Sequence, residues 1–313
     1  MEKRKLGASG IAVSLVGLGA NNFGGRTDFD ASRLVVNKAL DLGVTLFDTS
    51  DNYGNRGGSE EFLGRILGAR RSDVVLATKF GLPMDDTGKL RGASRRYAAQ
   101  AVEASLRRLK TDWIDLYQVH FPDPRTPIEE TLRALDDLMQ SGKVRSVGCS
   151  NFSAAQLEEA IGVSQRSHLV SFVTCQDEYN VLERDLEKDR LPIMRRHGMG
   201  LLPYFPLASG LLTGKYRQDA PPPSGTRFAG NVPRGKDAFL NARNWRVVEA
   251  LGAFAAARGH TLLELAMSWL ASRPYVPSII AGATKPEQIE QNIAAVGWTL
   301  SPADLAEIDR ITL

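Results

Sequence analysis

Cysteine and histidine are scarce in this chain. Of 313 residues two are cysteine, Cys149 and Cys175, and four are histidine, His120, His168, His197 and His260. The cysteines close two apolar runs without metal-ligand spacing, and no His-x-x-x-His pattern occurs. Neither a disulfide framework nor a metal site is therefore expected. No run of 18 apolar residues exists, which excludes a membrane-spanning helix. The charged N-terminus, MEKRKLGASGIAV, lacks the apolar stretch of a signal peptide. Charge of one sign is not in excess either, with 39 basic against 36 acidic residues and a formal net charge of +3. The basic stretch Arg91–Arg96 is short and reads as a solvated loop, so nucleic acid is not an expected partner. The slight positive bias does suit an anionic cofactor. These absences describe a cytoplasmic protein with reduced thiols, no metal, no membrane and no nucleic acid.

What is present is ordinary globular composition, 43% hydrophobic and 24% charged. Residues 4–13 read as a small hairpin turning at Ala8-Ser9-Gly10. After it a regular beat begins. Short apolar runs bounded by Gly or polar residues read as strands at Leu15–Leu18, Val44–Phe47, Asp73–Thr78, Ile114–Val119, Val144–Cys149, Phe172–Cys175, Gly200–Tyr204 and Val276–Ile280. Between them, 3.6-period segments read as helices at Ala31–Leu42, Ser59–Leu67, Ser94–Leu109, Pro127–Gln140, Ser153–Ile161 and Asp185–Arg196. Ser59, Ser94 and Ser153 stand as candidate N-caps, with Glu60 and Glu61 in a first turn. A Pro-, Gly- and Arg-rich loop at Gly214–Asn241 interrupts the beat, and further helices are expected at Trp245–Arg258, Leu262–Ser272, Pro286–Ala295 and Pro302–Ile311. Eight strand–helix units with short connections predict one (β/α)8 barrel domain over residues 1–313, with an N-terminal hairpin and extra C-terminal helices. A doubly wound sheet would want Gly-x-Gly-x-x-Gly after its first strand, whereas Gly17-Leu18-Gly19 runs on into Ala20-Asn21-Asn22.

In a barrel the residues just past each strand converge on one face. Here those positions hold Asp48 and Tyr53, Lys79, His120, Ser150 and Asn151, Gln176, Tyr204, and Gly282 with Thr284 and Lys285. Each has an ordinary alternative: Asp, Ser, Asn and Gly after a strand form turns, and a lone lysine, histidine or tyrosine is as readily surface or core. Together they suggest one chemistry. A tyrosine near its ordinary pKa of about 10 is a poor acid at neutral pH, and an adjacent ammonium would lower that value. Asp48 would pair with Lys79, Tyr53 would deliver a proton to a carbonyl oxygen, and His120 would donate a hydrogen bond that orients it. The hydride must come from a nicotinamide cofactor. An aldolase-type Schiff base on Lys79 fits less well, because Asp48 would keep the amine charged.

The motifs Phe47-Asp48-Thr49 with Tyr53-Gly54, Thr78-Lys79, Val119-His120, Gly148–Phe152, Pro206–Tyr216 and Gly282–Gln288 with Asn292 resemble the aldo-keto reductase superfamily over nearly the whole chain. They are closest to its bacterial general-stress and potassium-channel β-subunit branches, without the long C-terminal tail of mammalian-type members. The resemblance implies Asp48, Tyr53, Lys79 and His120 as a catalytic tetrad with Tyr53 as general acid. It implies that Ser150, Asn151 and Gln176 hold the nicotinamide carboxamide and that Tyr204 stacks on its ring, beside Phe205 and the strand ends Gly19, Ala20 and Asp48. Pro206, Leu207, Ser209, Gly210, Leu211 and Lys215 are implied at the pyrophosphate. Gly282, Thr284, Lys285, Gln288, Gln291 and Asn292 are implied at the adenosine end, where Lys285 and a helix N-terminus favour NADPH over NADH. Phe205 stands where a small polar residue is usual, and Gln288 where many members carry arginine. The expected partner is a small-molecule carbonyl compound. The alternative is a cofactor-holding redox sensor or partner subunit. Phe23, Phe80, Phe121, Phe205 and Phe228 are candidate pocket walls, and Asn21, Arg56, Arg91 and Arg227 candidate polar contacts.

Overall fold

The computed structural model describes residues 1–230 and 235–313; residues 231–234, inside the expected 214–241 loop, lie outside the described residues. The chain opens with β1 (Lys3–Lys5) and β2 (Ala12–Ser14), an antiparallel pair in which Lys3 faces Ser14. A short 3-10 turn, Gly7–Ser9, and Gly10 at φ 78° reverse the chain between them. Gly10 is suited to that position because a Cβ is costly at positive φ.

Eight parallel strands follow. They are β3 (Val16–Gly19), β4 (Leu46–Asp48), β5 (Val75–Phe80), β6 (Leu116–Val119), β7 (Val147–Ser150), β8 (Thr174–Glu178), β9 (Gly200–Tyr204) and β10 (Ile279–Gly282). Their order is β10-β3-β4-β5-β6-β7-β8-β9, and Leu201 N donates to Tyr275 O (2.8 Å) near where β9 approaches β10. The sheet is thus a nearly closed (β/α)8 barrel. The helices around it are α1 (Phe29–Asp41), α2 (Tyr53–Leu67), α3 (Arg95–Leu109), α4 (Ile128–Gln140), α5 (Ala154–Ser167) and α6 (Arg190–Arg196). The set continues with α7 (Ala242–Ala256), α8 (Leu262–Ala271), α9 (Pro286–Ala294) and α10 (Pro302–Thr312). The apolar stripes of the helices and the outward strand residues form one large core, for example Val35, Phe47, Val102 and Leu265. A second, smaller cluster lies inside the barrel, where Leu46, Ala77, Leu116, Leu202 and Ile280 meet Leu6 and Val13 of the hairpin. The hairpin therefore plugs the end of the barrel opposite the strands' C-termini.

Ser94 and Ser153 cap α3 and α5 as expected, accepting from Tyr97 N and Gln156 N, and Ser153 completes a capping box with Gln156. Ser59 does not cap α2. Its hydroxyl donates to Ala20 O (2.8 Å) and shares a bond with Thr49 Oγ1 (2.8 Å), which ties the helix to two strand ends. Glu60 likewise leaves the solvent and accepts from Thr78 Oγ1 (2.6 Å) and Arg108 Nε (2.7 Å). Burial of a carboxylate is tolerable only with such partners. The segment expected as one helix over 185–196 is a 3-10 turn, Asp185–Glu187, followed by α6, which starts at Arg190 so that Pro192 falls in its first turn.

Candidate active site

Side chains alternate across a strand, so a residue two positions past an interior one also points into the barrel. Leu46, Ala77 and Leu116 belong to the apolar floor. Two residues on stand Asp48, Lys79 and Gln118, and Gln176 joins them from β8. This layer is polar and internally bonded. Lys79 Nζ donates to Asp48 Oδ2 (2.6 Å) and Thr49 O (2.9 Å), with Tyr53 Oη at 3.5 Å. Asp48 Oδ1 accepts from Gln176 Nε2 (2.8 Å) and Gln118 Nε2 (3.3 Å). Lys79 is fully buried and Asp48 nearly so. Burial pushes Lys79 toward its neutral form, but Asp48 and Tyr53 outweigh it and leave its pKa raised, so the amine stays charged.

Tyr53 reaches this layer by an unusual backbone path. Gly54, Asn55 and Arg56 are all left-handed, at φ 67°, 60° and 67°, and Gly57 follows at φ 123°. A Cβ on Gly54 would sit 2.4 Å from Phe23 O, so only glycine fits. The left-handed turn lets Tyr53 lean back over Lys79 before α2 proper begins. Contrary to the expectation that Lys79 lowers it, the Tyr53 phenol is raised: burial dominates, Lys79 offsets it in part, and Asp48 adds to it. His120 lies edge-on to Tyr53 with ring centroids 5.7 Å apart. Burial, then the Lys79 charge, holds its pKa well below 6.5, so the imidazole is neutral. Ser50 Oγ lies 3.0 Å from His120 Nδ1.

Above this layer opens a cavity of about 650 Å3. Tyr53, His120 and Asp48 stand in its wall beside Ser150, Asn151, Gln176 and Tyr204. Lys79 lies beneath, reaching the wall only through Tyr53 and Asp48. Asn151, at φ 62°, donates from Nδ2 to His120 O (3.0 Å) and to Ser150 Oγ (2.9 Å), and accepts from Tyr204 Oη (2.8 Å). One side of the cavity is the segment Phe205–Gly210, in which Phe205, Ala208 and Ser209 take positive φ, a cost structures accept chiefly at functional sites. Lys215 stands with it. At the far end are Gly282, Thr284, Gln288, Gln291 and Asn292.

The structure therefore gathers at one cavity Gly19, Pro206, Leu207, Ser209, Gly210 and most other residues expected there. Three stand elsewhere. Ala20 is buried behind the wall, its N–H on Asp48 O (2.8 Å) and its carbonyl taken by Ser59. The Leu211 side chain joins the main core. Lys285 is exposed at the cap of α9, just outside the wall. Of the candidate pocket walls, Phe121 and Phe205 face the cavity, while Phe23, Phe80 and Phe228 are fully buried in the core. Asn21 and Arg227 line it, but Arg56 pairs outside with Asp86, and Arg91 is not part of the wall. Asn22 and Arg26 in the loop after the first barrel strand, Thr213 in the Pro206–Tyr216 motif, Phe239 in the 214–241 loop and Leu263, which no sequence signal marked, also line the wall.

The donor set fits a nicotinamide dinucleotide. Ser209 Oγ is buried without a partner among the described residues, beside Gly210 and Lys215, as an anion-facing hydroxyl would be. Polar side chains and the aromatic Tyr204 share its wall. Among the described residues no group of three His, Cys, Asp or Glu side chains is placed to hold a metal.

Comparison with known proteins gives a consistent answer. The family model described as "Aldo/keto reductase family" matches residues 15–312. A "Probable voltage-gated potassium channel subunit beta" of Arabidopsis thaliana is 39% identical, over 99% of this chain and 96% of its own length. "L-glyceraldehyde 3-phosphate reductase" of Escherichia coli (strain K12) is 35% identical over 99% and 92%. "Aldo-keto reductase YhdN" of Bacillus subtilis (strain 168) is 36% identical over 99% and 93%.

Proposed function

The chain belongs to the aldo/keto reductase family of carbonyl oxidoreductases, and on that premise we propose that it is an NADPH-dependent reductase of aldehydes or ketones, acting as one domain. The observation that carries this reading is the Tyr53 hydroxyl at the cavity wall, 3.5 Å above an Lys79 ammonium that Asp48 holds at 2.6 Å. NADPH, when bound, supplies the hydride.

The chain's own residues do the rest. Tyr53 donates its proton to the carbonyl oxygen. Lys79 stabilises the phenolate left behind, and Asp48, fixed by Gln118 and Gln176, keeps the ammonium charged and in place. Neutral His120 donates from Nε2 to the same oxygen and orients it. Ser150, Asn151 and Gln176 hold the carboxamide, and because Gln176 Nε2 directs its two N–H groups at Asp48 Oδ1 (2.8 Å) and Gln118 Oε1 (3.5 Å), Gln176 contributes its Oε1. Tyr204 stacks on the ring. The segment Pro206–Lys215 meets the pyrophosphate. Thr284, Lys285, Gln288 and Asn292 meet the adenosine end, where the Lys285 charge favours NADPH over NADH.

The test is oxidation of NADPH and NADH, in parallel, against aldehydes, sugars, keto acids and quinones. Glyceraldehyde 3-phosphate belongs in that panel, since one relative is named for it and Arg227 lines the cavity. Tyr53→Phe is expected to lose at least about 10²-fold in kcat, the usual scale of general acid catalysis, with cofactor affinity unchanged. Unaltered reduction by that variant overturns the mechanism. A second reading, a cofactor-holding redox sensor or partner subunit, draws on the relatives named as channel subunits. A protein that binds NADPH but reduces none of the panel selects it.

A further inference from the structure

Behind His120 lies a polar group that the mechanism above does not use. Ser50 and Asp51 are both fully or almost fully buried. Ser50 Oγ is 3.0 Å from His120 Nδ1 and 3.3 Å from Asp51 Oδ1, it accepts weakly from Asn52 N (3.4 Å), and it lies 3.5 Å from Lys79 O. The other carboxyl oxygen, Asp51 Oδ2, has no hydrogen-bond partner among the described residues.

A serine hydroxyl has one proton and two lone pairs. Its proton can go to only one acceptor, and that choice fixes the imidazole. If Ser50 donates to Nδ1, the neutral ring carries its proton on Nε2 and can donate to a carbonyl oxygen. If Ser50 donates to Asp51, Nδ1 must carry the proton to satisfy Ser50, and Nε2 presents a lone pair to that oxygen. We propose that Ser50 is a positioning residue that holds His120 in the Nε2–H tautomer, and that the proton on Asp51 decides whether it does so. This inference rests on the functional reading above for its consequence, not for its chemistry.

The surroundings favour the productive direction near neutral pH. Burial raises the Asp51 carboxyl to about 8; Glu60 reinforces that, and Arg108 opposes it. Tyr53, Tyr97 and Tyr117 also face it and, as neutral phenols, give an anion no compensating charge. A protonated Asp51 donates from Oδ1 to Ser50 Oγ, which together with Asn52 N fills the hydroxyl's lone pairs. The one remaining proton then goes to Nδ1, the nearest acceptor. An ionised Asp51 becomes a charge-assisted acceptor that competes for that proton. Burial, and then the Lys79 charge, bars the third state, a doubly protonated His120.

The experiment reads the tautomer directly. Long-range 1H–15N NMR of the 15N-labelled full chain distinguishes protonated from bare ring nitrogens, and with four histidines the His120 signals are assigned by their loss in His120→Asn. The expected result at neutral pH is a bare Nδ1 and a protonated Nε2. Above about pH 8 the Nδ1–H form should grow in the wild type, whereas its share should stay independent of pH in Asp51→Asn, whose amide does not titrate. In turnover, the wild type should lose kcat/KM along an alkaline limb near that pH, and Asp51→Asn should remove the limb. Ser50→Ala should mix the two tautomers and lower kcat about tenfold, the scale of one neutral hydrogen bond, while the KM for NADPH holds. A wild-type His120 protonated on Nδ1 at neutral pH overturns the proposal, as does an alkaline limb untouched by Asp51→Asn. The tautomer is read without substrate, so a protein that reduces no carbonyl sinks the functional reading and leaves this one standing.

Discussion

The Lys79–Asp48 pair offers a sharp test of how the barrel interior is balanced. Lys79→Met keeps the length of the side chain and removes the charge. Asp48 Oδ2 then loses its 2.6 Å partner, Thr49 O loses a donor at 2.9 Å, and only the two glutamine amides remain on the carboxylate. An uncompensated charge at 3% exposure is the expensive outcome, and the expected loss of stability is about 3–5 kcal/mol. Asp48→Asn combined with Lys79→Met removes both charges and leaves a neutral amide among hydrogen-bonding neighbours. Its expected cost is only about 1–2 kcal/mol, the scale of imperfect hydrogen bonding. The double variant should therefore be more stable than Lys79→Met alone, and with Asp48→Asn it completes a cycle with strongly non-additive terms.

Denaturant unfolding at neutral pH measures all four proteins. A double variant at least as unstable as the sum of the two singles would refute the reasoning, because the pair would then be two independent groups. The pH dependence adds a sign check. The folded-state pKa of Lys79 is raised, so the pair's contribution is fully present below the ordinary lysine value of about 10.4 and is lost as pH rises through the higher folded value. Wild-type stability should accordingly fall more steeply on alkaline titration than that of the double variant. Neither Lys79→Met nor the double variant should retain wild-type turnover, since each deprives Tyr53 of its nearest cation.

Two further outcomes follow from local geometry. Gly54→Ala places a Cβ 2.4 Å from Phe23 O and 2.6 Å from Ser59 N at φ 67°, so stability should drop by roughly 2–4 kcal/mol, from left-handed strain and a backbone clash together, and kcat should fall as Tyr53 shifts. Equal stability and rate in that variant would show that the left-handed turn is not what aims the tyrosine. Lys285→Ala should weaken NADPH binding roughly five- to tenfold relative to NADH, the scale of one charge-assisted contact, as measured by fluorescence titration of both cofactors. An unchanged ratio would mean that Thr284, Gln288 and Asn292 alone set any preference.

Much of this molecule is legible in its sequence because two of its periodicities are simple. Apolar runs of strand length alternate with 3.6-period segments, and eight such units in parallel close on themselves. The placing of Asp48, Lys79 and His120 together is legible for the same reason, since they fall at successive strand ends. What stayed hidden is what depends on contacts between distant elements. Ser59 and Glu60 have the composition of a helix start, yet Thr49, Ala20, Thr78 and Arg108 draw both inward. Phe23, Phe80 and Phe228 occupy loop-side positions that suggest a pocket, and packing takes them into the core. Ser50 reads as a turn residue until His120, seventy positions on, is seen beside it.

The two kinds of information meet in the barrel interior. Leu46 and Ala77 are fixed in the floor because they are apolar and the hairpin covers them. Their strands then have no freedom of register, since a slip of one residue would turn Asp48 and Lys79 outward into the main core. The slipped arrangement would cost both groups their present partners and set Lys79 where Thr78 now meets the Glu60–Arg108 pair. The floor thus does more than stabilise the barrel. It forces Asp48 and Lys79 to face each other one layer up, where each meets its counter-charge and Tyr53 meets the ammonium. The chemistry of the site is in this sense dictated from below, by residues that never touch a substrate.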